Sequence, residues 1–439
     1  MRLFFALCLA SALGAGSPAW DIQAKVSADG RSFQVEGRFA PGDADGFMVG
    51  ESAAPFVDRV EAEAQGRWRP VPEAAGRWRV KDGEARGAHL RWSFDLARSG
   101  VRPFGGGYLM RTGAWLLRPE TFQPGRSARL SVAVPEGLAF ISGLGPGTDF
   151  ETTVDDLDSG PECALGAMSV RRFPAKGGVI AAVAPAGALP MTEAQETRWF
   201  GLAASALENA YGRLPLPWTA VYLYPTGRRT GVIFGSTRGG GGAAIVVLLG
   251  QTVSDQDIAD DWILTHELIH TALPDLDREH HWLEEGLPTY LEPLIRLRQN
   301  REGPETFWAA LRADLPQGLP RPGDRGLDRT RTWGRTYWGG ALFCFTADLR
   351  IREASQGRAT LLTALRAMLA GGGIARHGDL RALLAEGDAA LPRPVLLPLY
   401  EAWSTAPEAP DLEAVWKRLG ATPLDGRAPE AGLRQAWGR

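Results

Sequence analysis

The pentapeptide His266-Glu267-Leu268-Ile269-His270, with Glu285 following in the run Trp282-Leu283-Glu284-Glu285-Gly286, restricts the fold more than any other feature of the chain. Side chains four residues apart share one face of an α-helix, so the two imidazoles can grip a single zinc ion while Glu267 faces the open position beside it. Zinc that performs chemistry takes three protein ligands and keeps one position free. A second helix has to supply the third ligand. The chain must therefore bring two helices together on one point, with one Zn2+ per chain.

The surroundings fit a helix. Ser254 followed by Asp257 forms a capping-box-like start, and Ile258, Trp262 and Ile269 carry an apolar stripe on through the pentapeptide. The plain alternative is an ordinary amphipathic helix without metal. For the third ligand, Leu273 and Leu276 stand where a metzincin has glycine and histidine, which leaves a carboxylate. Glu279, His280 and His281 fall in the polar stretch after Pro274, where the two histidines shape a loop. Glu285 is preferred because Trp282-Leu283-x-Glu285-Gly286 opens an apolar helix running through Tyr290, Leu291 and Leu294. Glu292, two turns beyond Glu285 on the same face, is the candidate to orient a ligand histidine, against the alternative of a solvated surface glutamate. Asp260 and Asp261 are further candidates for that role.

From His266 to Pro293 the chain reads HELIHTALPDLDREHHWLEEGLPTYLEP, which resembles the zinc helix pair of gluzincin metallopeptidases, in particular the aminopeptidase N and glycyl aminopeptidase families. The segments Arg335-Thr336-Tyr337-Trp338-Gly339-Gly340-Ala341-Leu342 and Ala347-Asp348-Leu349-Arg350-Ile351-Arg352 are similar to the Y-x-K-G-A-L and D-L-x-I-R stretch of those families. The resemblance implies a thermolysin-like catalytic domain and gives Tyr337 the role of hydrogen-bond donor to the oxyanion; the alternative is a core tyrosine at a helix start. Two departures stand out. The connection of 14 residues between His270 and Glu285 is shorter than the families use. The G-x-M-E-N segment that holds the substrate's free amine in aminopeptidase N has no clear counterpart, and Gly239 to Gly242, with Ala243 after them, are read in its place, without a glutamate.

The expected reaction is peptide hydrolysis, with Glu267 taking a proton from water and passing it to the departing amine. Gly240, Gly241, Gly242 and Ala243 are read as a backbone edge that an extended peptide could approach, or else as a mobile hairpin tip. Three functional readings stay open: a peptidase of endo or broad type acting on exported or envelope proteins, an aminopeptidase whose amine anchor has moved, for instance to Glu284, and a binding or scaffold protein with a structural zinc. An intact Glu267 and Tyr337 speak against the third.

Residues 1–19 read as a cleavable signal peptide: Met1-Arg2, an apolar run from Leu3 to Leu13, then Ser17-Pro18-Ala19, with Cys8 lacking lipobox surroundings. The expected location is secreted or periplasmic, with no membrane span. A net charge of -3 and the absence of a basic patch point away from nucleic acid, leaving a peptide or protein substrate as the partner. Cys163 and Cys344 could pair, although Cys344 lies in an apolar run where a buried thiol is common.

Texture divides the chain. Short alternating runs such as Phe33 to Phe39 and Arg129 to Val134 imply an all-β sandwich over residues 20–188. Trp115-Leu116-Leu117-Arg118-Pro119 and Val134-Pro135-Glu136-Gly137 resemble the amino-terminal β-domain of the same peptidases. An α+β catalytic domain with the zinc helices is expected over 189–300, with strands at Ala220 to Tyr224 and Ala244 to Leu249. A helical part follows over 301–439.

Overall fold

Strict alternation of apolar and polar residues gives strands with one buried face. In the strand Ser32–Phe39, Phe33, Val35 and Phe39 point inward while Gln34 and Arg38 face water. This strand lies in the middle of a seven-stranded sheet, in the order Asp149–Thr153, Ser127–Ala133, Trp20–Val26, Ser32–Phe39, Ala88–Asp95, Val57–Ala64, Arg67–Pro70. Every neighbouring pair is antiparallel except Trp20–Val26 with Ser127–Ala133. Two four-stranded sheets accompany it. Trp20, Phe33, Trp92, Trp115 and Leu130 belong to the core of this half. The computed structural model describes residues 17–42, 46–50, 52–80, 87–187, 189–421 and 424–438. The expected leader, apart from its last residues, lies outside them, as does Ala188, where the first β-region was expected to end.

The second half is built on a five-stranded sheet, ordered Met168–Ala175, Gly178–Pro185, Trp218–Pro225, Ala244–Leu249, Val232–Arg238. Its first two strands correct the division drawn from texture, which assigned them to the preceding β-region. Gly178–Pro185 runs parallel to Trp218–Pro225, and Ile180 to Pro185 are all buried. A strand covered on both faces loses its alternation and reads as a continuous apolar run. Val232–Arg238 closes the other edge, antiparallel to Ala244–Leu249.

The two halves meet face to face. Phe104, Leu109 and Ala164 from the four-stranded sheet of Ala139–Ser142, Glu162–Gly166, Gly107–Arg111 and Arg102–Phe104 pack on Val183, Ala220, Tyr222, Ala244 and Val246 of the five-stranded sheet. Behind that sheet lies Glu193–Tyr211, started by a capping box between Thr192 and Gln195 and ended by Gly212 at φ 80°. The remaining chain is mostly helical and includes Ile263–His270, His281–Arg298, Pro304–Asp314, Gly340–Ser355, Leu361–Met368, Leu380–Ala389, Leu396–Trp403 and Leu412–Leu419. No helix among the described residues is long and apolar enough to cross a membrane. Cys163 and Cys344 are free, buried thiols in the cores of different halves, so the pairing allowed by sequence does not form.

Candidate metal centre

The expected capping box is present, with the Ser254 hydroxyl accepting from Asp257 N–H, but the helix it starts ends at Asp260. A separate helix, Ile263–His270, carries the pentapeptide. The break corrects the continuous stripe read from Ile258 and Trp262, for Trp262 is half exposed. Asp261 makes the break useful. Its buried carboxylate accepts from the N–H groups of Ile263 and Leu264, both at 3.1 Å, and from Trp199 Nε1 at 2.7 Å. It caps the motif helix and does not orient a ligand histidine.

His266 and His270 stack their rings edge to face with centroids 5.1 Å apart. The Glu285 Oε2 atom lies 3.7 Å from His266 Nε2 and 3.8 Å from His270 Nε2. Ligand atoms at about 2.1 Å around a tetrahedral zinc are spaced about 3.4 Å apart, so Glu285 Oε2 stands near that spacing from each imidazole, and Glu267 also brings a carboxylate oxygen within 4.8 Å of ring nitrogens of His266 and His270. Burial, reinforced by the neighbouring His266, lowers His270 to about 4, which keeps its imidazole in the neutral form a metal requires. Burial works to raise Glu285, yet the adjacent imidazoles hold it below the usual carboxylate range.

Helix His281–Arg298 contains Pro288 and Pro293. Proline has no N–H, so Pro288 leaves the carbonyl of Glu284 without its helical donor. That carbonyl favours a proton on the His270 ring, the smallest of the influences on that imidazole. The expectation for Glu292 is corrected. It is buried beside Arg296, 3.8 Å away, with Oε1 lacking a hydrogen-bond partner, and among the described residues no hydrogen bond joins it to His266 or His270.

Glu267 is buried next to the ligands, and burial raises its pKa against the opposing hydrogen bond from Thr237. The Thr237 hydroxyl donates to Glu267 Oε2 at 2.6 Å, with the Glu267 carbonyl also in reach at 2.9 Å. Thr237 sits on the edge strand, and so does Gly235, where an added Cβ would come 2.4 Å from Glu267 Cγ. Sequence reading passed over both. Their signal was present only as an alternating run with a glycine, whose meaning depends on what packs against it.

Tyr337 faces the cluster from a π-helical turn, Gly334–Gly339, a distortion frequent at functional sites. Burial and the negative charges of Glu285 and Glu267 push its phenol up to about 12, so it stays a donor. Arg335 anchors the turn through a buried ion pair with Asp324 (2.9 Å) and a bond to the Gly318 carbonyl (2.6 Å). The turn can approach Glu285 because Gly286 and Gly340 meet: a Cβ on Gly286 would lie 2.3 Å from Gly340 backbone.

His280 shapes the loop as expected. Asp328 receives His280 Nδ1 at 3.1 Å, Trp282 Nε1 at 2.8 Å and the Tyr400 hydroxyl at 2.9 Å, which pins the start of the glutamate helix. His281 and the Leu276 N–H both hold Glu284, at 3.0 and 3.1 Å, so the carboxylate considered as a displaced amine anchor is already engaged.

The centre lies in a cleft of about 870 Å³. Its sheet wall is Ile233 to Gly239, and this corrects the glycine reading: Gly240, Gly241, Gly242 and Ala243 do not line it. Gly240 and Gly241 donate to the carbonyls of Ile374 and Ala375, and Ala243 donates to Gly143, which leaves those N–H groups unavailable to a peptide. The glycines serve close packing instead, since a Cβ on Gly242 would lie 2.0 Å from the Gly143 oxygen. The half-exposed Arg238, paired with Glu162 at 3.2 Å, stands on the cleft wall where a carboxylate was sought.

No family model matches the chain, and no curated protein matches it in sequence. Solved structures do share its fold. An aminopeptidase N family protein from Idiomarina loihiensis superposes with a TM-score of 0.61 at 13% identity, over 91% of this chain and 78% of that one. The M1 zinc metallopeptidase from Deinococcus radiodurans gives 0.52 at 18% identity, over 90% and 94%, and a mutant of it has been solved with a Tyr-Ser-Ala substrate. Legionella pneumophila aminopeptidase A, solved with aspartic acid, gives 0.56 at 13% identity, over 89% of this chain and 50% of that one. The expected order of β-sheets followed by a helical part is thus a fold the chain shares with these solved structures.

Proposed function

We propose that the protein is a zinc-dependent metallopeptidase of the gluzincin type. One observation carries the reading: Glu285 Oε2 lies 3.7 Å from His266 Nε2 and 3.8 Å from His270 Nε2, with Glu267 buried beside them and Tyr337 facing them. A structural zinc site has no use for those last two groups. When bound there, zinc supplies a Lewis acid that polarises a carbonyl and makes water acidic near neutral pH. Glu267, steadied by Thr237, accepts the proton that water gives up on attacking the peptide carbonyl and returns it to the departing amine. Tyr337 donates to the oxygen of the reacting carbonyl as its charge grows, an interaction strongest in the transition state. The edge strand Val232–Arg238 gives an extended peptide a backbone to lie against.

The same reading favours a peptidase that does not depend on a free amino terminus. The edge strand carries no carboxylate, and Glu284 is engaged by Leu276 and His281. Substrates are placed among exported or envelope proteins because residues 1–19 have the composition of a leader. The test is cleavage of a mixed peptide library by the zinc-loaded protein, with bound metal quantified and Glu267→Gln alongside. Zinc near one per chain, with cleavage by the wild type and a loss of about 10²–10⁴-fold in Glu267→Gln, is expected. Equal cleavage by the variant would refute Glu267 as the base, and cleavage confined to free-amine peptides would refute the amine-independent reading.

A further inference from the structure

Among the described residues, the large apolar side chains that stand exposed are Phe234, Trp262 and Trp333, at 56%, 51% and 63%. All three line the cleft of the metal centre. They come from three separate elements, and each adjoins a different chemical group. The Trp262 ring lies edge-on to His266, with centroids 5.4 Å apart. Trp333 lies over Tyr337, with centroids 5.9 Å apart and planes tilted by 31°. Phe234 precedes Gly235, the residue that abuts Glu267.

Local structure holds each ring outward. The ladder between Val232–Arg238 and Ala244–Leu249 slips between Val232 and Phe234, and a bulge of this kind re-aims a side chain next to an active site. Trp262 occupies the break between two helices, where the capping carboxylate of Asp261 fixes the chain. Trp333 precedes the π-helical turn. Single exposed apolar residues are unremarkable on a protein surface, but convergence on one cleft marks a surface that a ligand covers.

We infer that these rings form the walls of the side-chain subsites flanking the scissile bond, and that the preferred substrates are peptides with bulky apolar or aromatic residues on either side of it. The inference rests on the peptidase reading above for its substrate class. Burial of such a side chain against the rings removes apolar surface from water on both partners, and discrimination against a small residue follows from the lost contact.

The test measures kcat/KM for the zinc-loaded full chain on peptides carrying Phe, Leu, Ala, Lys or Glu on either side of the cleaved bond. In parallel, calorimetry compares binding of the hydroxamates of phenylalanine and alanine. The expected result is a preference of about 10-fold or more for Phe or Leu over Ala in both measurements, lowered by about 3-fold or more in Phe234→Ala, Trp262→Ala or Trp333→Ala at unchanged zinc content. A preference for small or charged residues, or a preference untouched by all three substitutions, overturns the inference. If no peptide is cut while the hydroxamate preference is present and falls in the variants, the peptidase reading fails and the apolar subsite stands. If the hydroxamates bind alike, the subsite fails whatever the turnover.

Discussion

A carboxylate that is to move protons has to be buried enough to bind one and supported enough not to wander. Glu267 meets both conditions through Thr237, whose hydroxyl is its hydrogen-bond donor at 2.6 Å. Thr237→Val keeps the shape of that side chain and removes the donor, leaving a buried carboxylate oxygen without its partner. Turnover should fall by about 10-fold with zinc content unchanged, a loss smaller than that of Glu267→Gln because the carboxylate proposed as base remains. Glu292 presents the opposite case. Burial raises it to about 8, opposed by Arg296 and Arg301 and assisted by Asp261 and Glu302. A carboxyl whose folded pKa lies above its unfolded value binds its proton more tightly in the folded state. It therefore costs stability as pH rises from the ordinary glutamate range toward 8, by at most about 1.4 kcal/mol per pH unit across that window. Glu292→Gln should flatten the fall in melting temperature between pH 5 and pH 8; an unchanged slope would show that Arg296 keeps Glu292 ionised throughout.

The elements carrying the site are placed by residues whose meaning lies in contacts. Pro288 looks like a helix breaker inside Trp282 to Leu294, yet the helix continues through it, and its missing N–H leaves the Glu284 carbonyl, which favours a proton on His270, without a helical donor. Pro288→Ala restores a competing donor, and zinc affinity measured by competition with a chelator should weaken by about 10-fold or more while the helix itself is retained. Gly286→Ala is harsher. Its Cβ would meet Gly340 at 2.3 Å, so the π-helical turn must retreat and take Tyr337 with it. Activity should fall more than zinc binding, because Glu285 remains on its own helix; equal losses would mean that the glutamate helix moved instead. The His-Glu-x-x-His spacing and the apolar helix after Trp282 were legible because both follow from the period of a helix. The role of Asp261 was not. It depends on a helix break that periodicity carried straight through, with Trp262 misread as part of a buried stripe.

At the scale of the molecule, the metal helices belong to one half but the cleft does not. Arg111 and Ser159 line it from the amino-terminal half, and Glu162 reaches Arg238 on the edge strand. The β-region therefore contributes to the wall a substrate would meet. Sequence texture could find both halves but not their seam, because the buried strand Gly178–Pro185 and its partner Met168–Ala175 look like more of the preceding β-structure until hydrogen bonds assign them to the second sheet. The same limit misplaced the glycine run, whose contacts with Gly143, Ile374 and Ala375 join segments far apart in the chain. At the seam, the buried Tyr222 hydroxyl lies 2.9 Å from the carbonyls of both Ile141 and Glu162, and Trp218 Nε1 donates to the Ser142 carbonyl at 2.9 Å. Tyr222→Phe leaves those carbonyls short of a donor in an apolar layer, at a cost of about 1–3 kcal/mol. Because Val183, Ala220 and Val246 of the second half share that layer with Phe104 and Leu109 of the first, the cost should fall on both halves at once. Calorimetry should show one transition displaced to lower temperature. A split into two transitions, with only one of them displaced, would mean that the seam is a contact between independently stable halves, and that the cleft wall it supports can open without unfolding either.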